Sequence, residues 1–204
     1  PFTTPFEPIA SLARECGVPA HSCLNHARVD KDPRRVRAGA LRAFDAGATG
    51  VTLWNFWYCF DYYHPRGANP MGLDVLSELA DLDAASRDEL VFPLDPCWDP
   101  TDLVGAAHHH HSWPGQVPLA VGMGGDGHGA AVTFDLPANV IDPRGAGARA
   151  ELTVTLEQYW APEDRLELRW DGTWLADVEQ ELRPSQGHES YRLRCAVPGG
   201  LLHA

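Results

Sequence analysis

The hydrophobic period changes partway along this chain, and that change constrains its fold more than any other feature. Up to residue 90 or so, apolar residues recur at helical spacing between short strand-like runs. From residue 118 onward they alternate with a period of two. A helix-period pattern and a strand-period pattern bury different faces, so the two stretches are expected to fold as separate layers. Residues 7–16 (EPIASLAREC) read as a helix with Ile9, Leu12 and Ala13 on one face and Gly17 as its stop. Residues 18–25 (VPAHSCLN) read as a strand whose polar members His21, Cys23 and Asn25 fall on one side. Asp32-Pro33 is a helix start, with Asp as N-cap and Pro in the first turn. Val36, Ala40, Leu41 and Phe44 then share a helical face until Gly47. A second strand is expected at 50–58 (GVTLWNFWY) and a further helix at 72–86, where Leu73, Leu76, Leu79 and Ala80 recur. The strands lie about 33 residues apart, the size of a βαβ unit, so this half is α/β with parallel strands.

Residues 87–117 break the rhythm. VFPLDPCWDPTDLV is rich in Pro, GAAHHHHSWPGQ follows, and 91–117 reads as a linker. Beyond it, AAVTFDL (130–136), ARAELTVTLE (148–157), RLELRWDG (165–172), TWLADV (173–178) and SYRLRCAV (190–197) are short alternating runs divided by Gly, Pro and Asp. They predict an antiparallel β-sandwich over 118–204, with a hairpin turn at Asp171-Gly172 and a last strand, GGLLHA, cut short. Two parallel strands and three helices do not satisfy the backbone groups of a parallel sheet. The chain also opens at Pro1 without an initiator Met. Both features lead to the expectation of a truncated larger protein.

A formal net charge of −12, with basic residues that are almost all Arg and form no stripe, argues against a nucleic-acid partner. No apolar run is long enough to span a bilayer and no signal peptide is visible, so no membrane insertion is expected. Five Cys, at 16, 23, 59, 97 and 195, are scattered without a CxxC, and most of them read as buried free thiols.

The run DPRRVRAGALRAFDAGATGVTLWNFWY resembles the last units of a (β/α)8 barrel, specifically the family-10-like, glycoside-hydrolase-like barrels of bacteria. In those proteins a helix ending in "aGAdGi" feeds a strand of the type "yLfNf", and a small β-sandwich follows. The corresponding residues here are Ala46-Gly47-Ala48-Thr49-Gly50-Val51 and Thr52-Leu53-Trp54-Asn55-Phe56. Residues 165–172 (RLELRWDG) are similar to the family's "D-x-l-e-v-r-l-N-G" hairpin. The resemblance implies that 18–25 and 51–58 are the seventh and eighth barrel strands and that 1–90 is the end of the barrel. Their C-terminal ends would then open onto the face where such barrels keep their sites. It implies a carbohydrate ligand and no cofactor, with Asn25, His26, Trp54, Asn55, Trp57, Tyr58 and Asp61 as substrate-binding residues. Aromatic rings there offer platforms for the C–H faces of sugars, and Asn, His and Tyr offer hydrogen bonds. Packing of the same rings against helices or sandwich is the competing reading.

The chain departs from that family in one respect. Retaining glycosidases of this kind carry a carboxylate at the end of strand seven, where SCLNHARVD places Asn25 and His26 instead. Glycoside hydrolysis needs two carboxyl groups, and Asp30 and Asp61 do not follow a strand as a catalytic acid would. The expected function is therefore the C-terminal portion of a glycoside-hydrolase-like protein with catalytic carboxylates in missing N-terminal strands. The alternative is a catalytically silent carbohydrate-binding or cell-surface interaction protein, and export follows only by analogy. His108–His111 with His128 invites a metal reading, but adjacent histidines in an extended loop point in alternating directions, which favours a polar loop. The Gly-rich MGGDGHGAA lies between no strand and helix and so fails as a phosphate cradle. Trp160, Trp170 and Trp174 read first as buried or inter-domain residues, with a carbohydrate-binding surface as the second reading.

Overall fold

The computed structural model describes residues 6–25, 32–54, 74–86, 88–92, 131, 136–137, 140, 147–157, 167–185 and 188–202. The chain divides into two compact units, Pro1–Val140 and Ile141–Ala204. The first contains helices and a parallel strand pair, the second an antiparallel sheet and a hairpin.

In the first unit, helix α1 (Glu7–Glu15) leads to strand β1 (His21–Asn25), helix α2 (Pro33–Asp45) and strand β2 (Gly50–Trp54). The start of α2 is fixed by Asp32, whose Oδ1 accepts a hydrogen bond from the backbone N–H of Arg34 at 2.9 Å, with Pro33 in the first turn. Both long helices stop in the same way. Gly17 and Gly47 take left-handed backbone angles, φ +69° and +93°. The next residue then bonds back into the last turn, Val18 N–H to Ala13 and Ala48 N–H to Ala43, each at 2.9 Å. Thr49 N–H donates to the carbonyl of Ala20 at 2.8 Å and brings β2 alongside β1. The strands pair in parallel from His21↔Gly50 to Asn25↔Trp54.

Alternation divides these strands into two faces. Leu24 and its neighbour Leu53 face the helices, and Leu24, Val36, Ala40 and Val75 form the core with Phe44, Val51, Leu53 and Leu79 packed against it. On α2 the expected stripe holds: Val36, Ala40 and Leu41 are at most 1% exposed. On α1 it does not. Ile9 and Leu12 are 53% and 62% exposed, and Ala10 is the buried residue. A methyl-sized group suits this position because α1 runs close to the Gly47 turn, where a Cβ in place of the glycine hydrogen would meet the Ala10 Cβ at 3.3 Å.

The helix expected at 72–86 is two short ones, α3 (Asp74–Glu78) and α4 (Leu82–Ala85). Asp81 leaves helical geometry (φ −123°, ψ 87°) and caps the second by accepting from the Ala84 N–H. Leu79 still reaches the core. Arg37, on α2, holds this region with a 2.6 Å ion pair to Glu78 and a donation to the Glu89 carbonyl. Arg34 adds an ion pair to Glu89 at 2.9 Å.

The second unit has a three-stranded antiparallel sheet in the order β3 (Ala150–Glu157), β7 (His188–Val197), β6 (Glu179–Ser185), and a hairpin of β4 (Arg169–Trp170) and β5 (Thr173–Trp174). Leu152, Val154 and Leu156 stand opposite Cys195, Leu193 and Tyr191 and form its apolar face. Arg194 binds Glu151 on the other face. Strand β6 departs from the sequence expectation, because EQELRPS has no apolar alternation. It pairs with β7 alone among the described residues, and an edge position tolerates Pro184. The expected turn is present: Asp171 and Gly172 both have positive φ, 44° and 75°, the type I′ signature. Among the described residues of 165–178, strand character is confined to the four that flank this turn. The expected last strand, GGLLHA, is instead a turn of 3₁₀-helix at Gly199–Leu201 after Pro198. The runs at 132–135 and 108–111, His128 and Trp160 lie outside the described residues.

Candidate functional site at the ends of the parallel strands

The backbone brings two of the expected site residues together. Asn25 ends β1, Trp54 ends β2, and they are register partners, which sets their backbones about 4.8 Å apart. Each stands at the C-terminal end of a parallel strand, where α/β folds place their ligands. His26, Asn55, Trp57, Tyr58 and Asp61 lie outside the described residues.

Below that pair, the sheet face away from the helices is open. His21 and Cys23 on β1 and Thr52 on β2 are exposed, and Thr52 is the partner of Cys23. At the lower end the His21 ring lies over Gly50, so close that a Cβ there would come within 3.1 Å of it. Parallel sheets are ordinarily covered on both faces. Among the described residues, every helix packed on this one uses the Leu24–Leu53 face. Strand alternation already set His21 and Cys23 apart from Leu24; the matching signal on β2, Gly50 and Thr52 in step with Trp54, was masked by the aromatic run.

Burial pulls the Asp32 carboxyl upward, but the Arg34 side-chain and backbone hydrogen bonds and its charge outweigh it and hold the group below the usual carboxylate range. Burial, with Glu151 nearby, pushes the Cys195 thiol up. Cys195 is buried as expected, whereas Cys16 and Cys23 are exposed free thiols, since one lies on a helix cap and the other on the open sheet face.

A small cavity between Phe6, Glu7, Ser22, Leu24, Arg42 and Ala43 has a volume of about 10 Å³, room for one water at most. It lies on the helix-covered face and cannot hold a sugar. Among the described residues no three His, Cys, Asp or Glu side chains are grouped to hold a metal. No helix among them is long and apolar enough to cross a membrane. Compared with protein-family models, curated proteins and solved structures, the chain matches none.

Proposed function

We propose that residues 1–90 are the end of a (β/α)8 barrel in a glycoside-hydrolase-like protein and that residues 118–204 form its accessory β-sandwich. The observation that carries this reading is that the sheet is one-sided among the described residues: helices on the Leu24–Leu53 face, an exposed face bearing His21, Cys23 and Thr52, and Asn25 beside Trp54 at its upper end. A doubly wound sheet would carry helices on both faces, whereas a barrel carries them outside only and turns the other face inward. An indole and a carboxamide on adjacent strand ends suit a pyranose: a flat apolar platform, and a group that both donates to and accepts from hydroxyls. His26, Asn55, Trp57, Tyr58 and Asp61 complete the carbohydrate site in this reading. The catalytic carboxylates, two of which glycosyl transfer to water requires, come from strands N-terminal to this sequence.

A second reading has its own support. Asn25 ends β1 where a catalytic carboxylate is expected, and an amide neither protonates a leaving oxygen nor forms a glycosyl ester. A catalytically silent carbohydrate-binding protein accounts for that substitution. The two are separated by incubating the polypeptide that carries this sequence in its source with a panel of soluble polysaccharides, and following both reducing-sugar release and binding. Release is the result the enzyme reading predicts. Binding without release selects the silent binder, and neither binding nor release contradicts both.

A further inference from the structure

The β4–β5 hairpin in the second unit is two-faced, and the wrong residue stands on its outer face. Trp170 and Leu175 face inward: the Trp170 indole N–H donates to the Leu201 carbonyl at 3.0 Å, Leu175 is 8% exposed, and its N–H bonds to the Leu168 carbonyl at 2.9 Å. The partner pair Arg169↔Trp174 has the opposite parity. Period-two patterning calls for polar residues there, yet Trp174 is 56% exposed. It is also held in place. The Arg169 guanidinium carbon sits 4.4 Å from the ring centroid, and the type I′ turn at Asp171-Gly172 fixes the strands behind it. The result is an indole on the hairpin's outer face, with the Arg169 cation over its ring and more than half of its surface exposed.

We propose that this exposed surface of Trp174 is a stacking platform for a neutral glycan, with Arg169 and the hairpin's exposed carboxylates as hydrogen-bonding partners for its hydroxyls. Size decides against a protein partner. A stable protein interface takes roughly 800 Å² from each side, whereas one Trp offers at most about 250 Å², and the exposed residues around it are polar or small: Glu167, Asp171, Gly172, Thr173, Ala176 and Asp177. Charge decides against a polyanion, since Arg169 is outnumbered by Glu167, Asp171, Asp177 and Glu179. A ligand with one flat C–H face rimmed by neutral hydroxyls satisfies both conditions, and that is a pyranose ring. The site is on a different unit from Asn25 and Trp54 and does not rest on the function proposed for them.

The test is native affinity electrophoresis of the full chain through gels containing hydroxyethylcellulose, arabinoxylan or galactomannan, with heparin as a polyanionic control. The expected result is retardation by at least one neutral polymer. Trp174→Ala weakens it about tenfold or more, Trp174→Tyr keeps most of it, and the melting temperature stays unchanged because the ring is not in the core. Retardation of Trp174→Ala equal to wild type, retardation by heparin alone, or none in any gel overturns the proposal. Trp54→Ala run beside it keeps the two sites apart: loss there with Trp174→Ala unaffected sinks the hairpin site and leaves the strand-end reading standing.

Discussion

Asp32 shows how much of the fold one side chain can set, and it is readable in sequence because Asp-Pro before a helical stripe has few other uses. It caps α2, and its carboxylate also binds the Arg34 side chain at 2.8 Å. Asp32→Ala should lower stability at neutral pH by about 1 kcal/mol. Asp32→Asn, which keeps a capping oxygen, should cost less. The carboxyl's folded pKa is depressed, so its electrostatic stabilisation is present above the unfolded value of about 3.9. It disappears as pH falls through the lower folded value. Urea unfolding of wild type and Asp32→Ala across that range should therefore converge at low pH. A gap that stays constant from pH 7 down to pH 2 would show that the charge contributes nothing. Other residues were not legible. Ile9 and Leu12 carry the apolar spacing of a core face, yet Ala10 is the one buried, because the distance between α1 and the Gly47 turn is a tertiary fact.

At the scale of elements, the legible boundaries were those with local chemistry: the glycine stops, the Asp32 cap and the Asp171-Gly172 turn. Elements defined by their neighbours were not. Strand β6 exists because β7 pairs with it, and nothing in EQELRPS shows that partner in advance. The division of 72–86 into two helices follows from Asp81 turning its side chain to a backbone N–H, a local contest that a run of Leu spacing conceals. The two glycine stops make a matched pair for testing. At Gly17 a Cβ meets nothing within 4 Å, so Gly17→Ala carries only the left-handed backbone cost, roughly 1 kcal/mol. At Gly47 the same cost is joined by contact with the Ala10 Cβ at 3.3 Å, on a side chain with no rotamer to move away. Gly47→Ala should lose roughly 2 kcal/mol or more in denaturant unfolding. Equal losses at the two sites would mean that α1 yields at the turn without cost.

For the whole molecule, helices and a parallel strand pair precede antiparallel strands along the described residues, and the parallel pairing of β1 with β2 follows from the helix between them. Of the residues proposed for the site, only Asn25 and Trp54 lie among those described, and they are register neighbours. Alternation could nominate each residue but not their pairing, since register is set by the Thr49–Ala20 bond and the α2 connection. Everything proposed for the first unit depends on the open sheet face ending in a carbohydrate site. It is tested by the affinity of the full chain, and of Asn25→Ala and Trp54→Ala, for each polysaccharide of the panel, with melting temperature as the control. Binding of at least one polysaccharide is expected, with a loss of about tenfold or more in each variant and no loss of fold. Wild-type affinity in both variants, or no binding by the wild-type chain, would contradict a carbohydrate site at these strand ends.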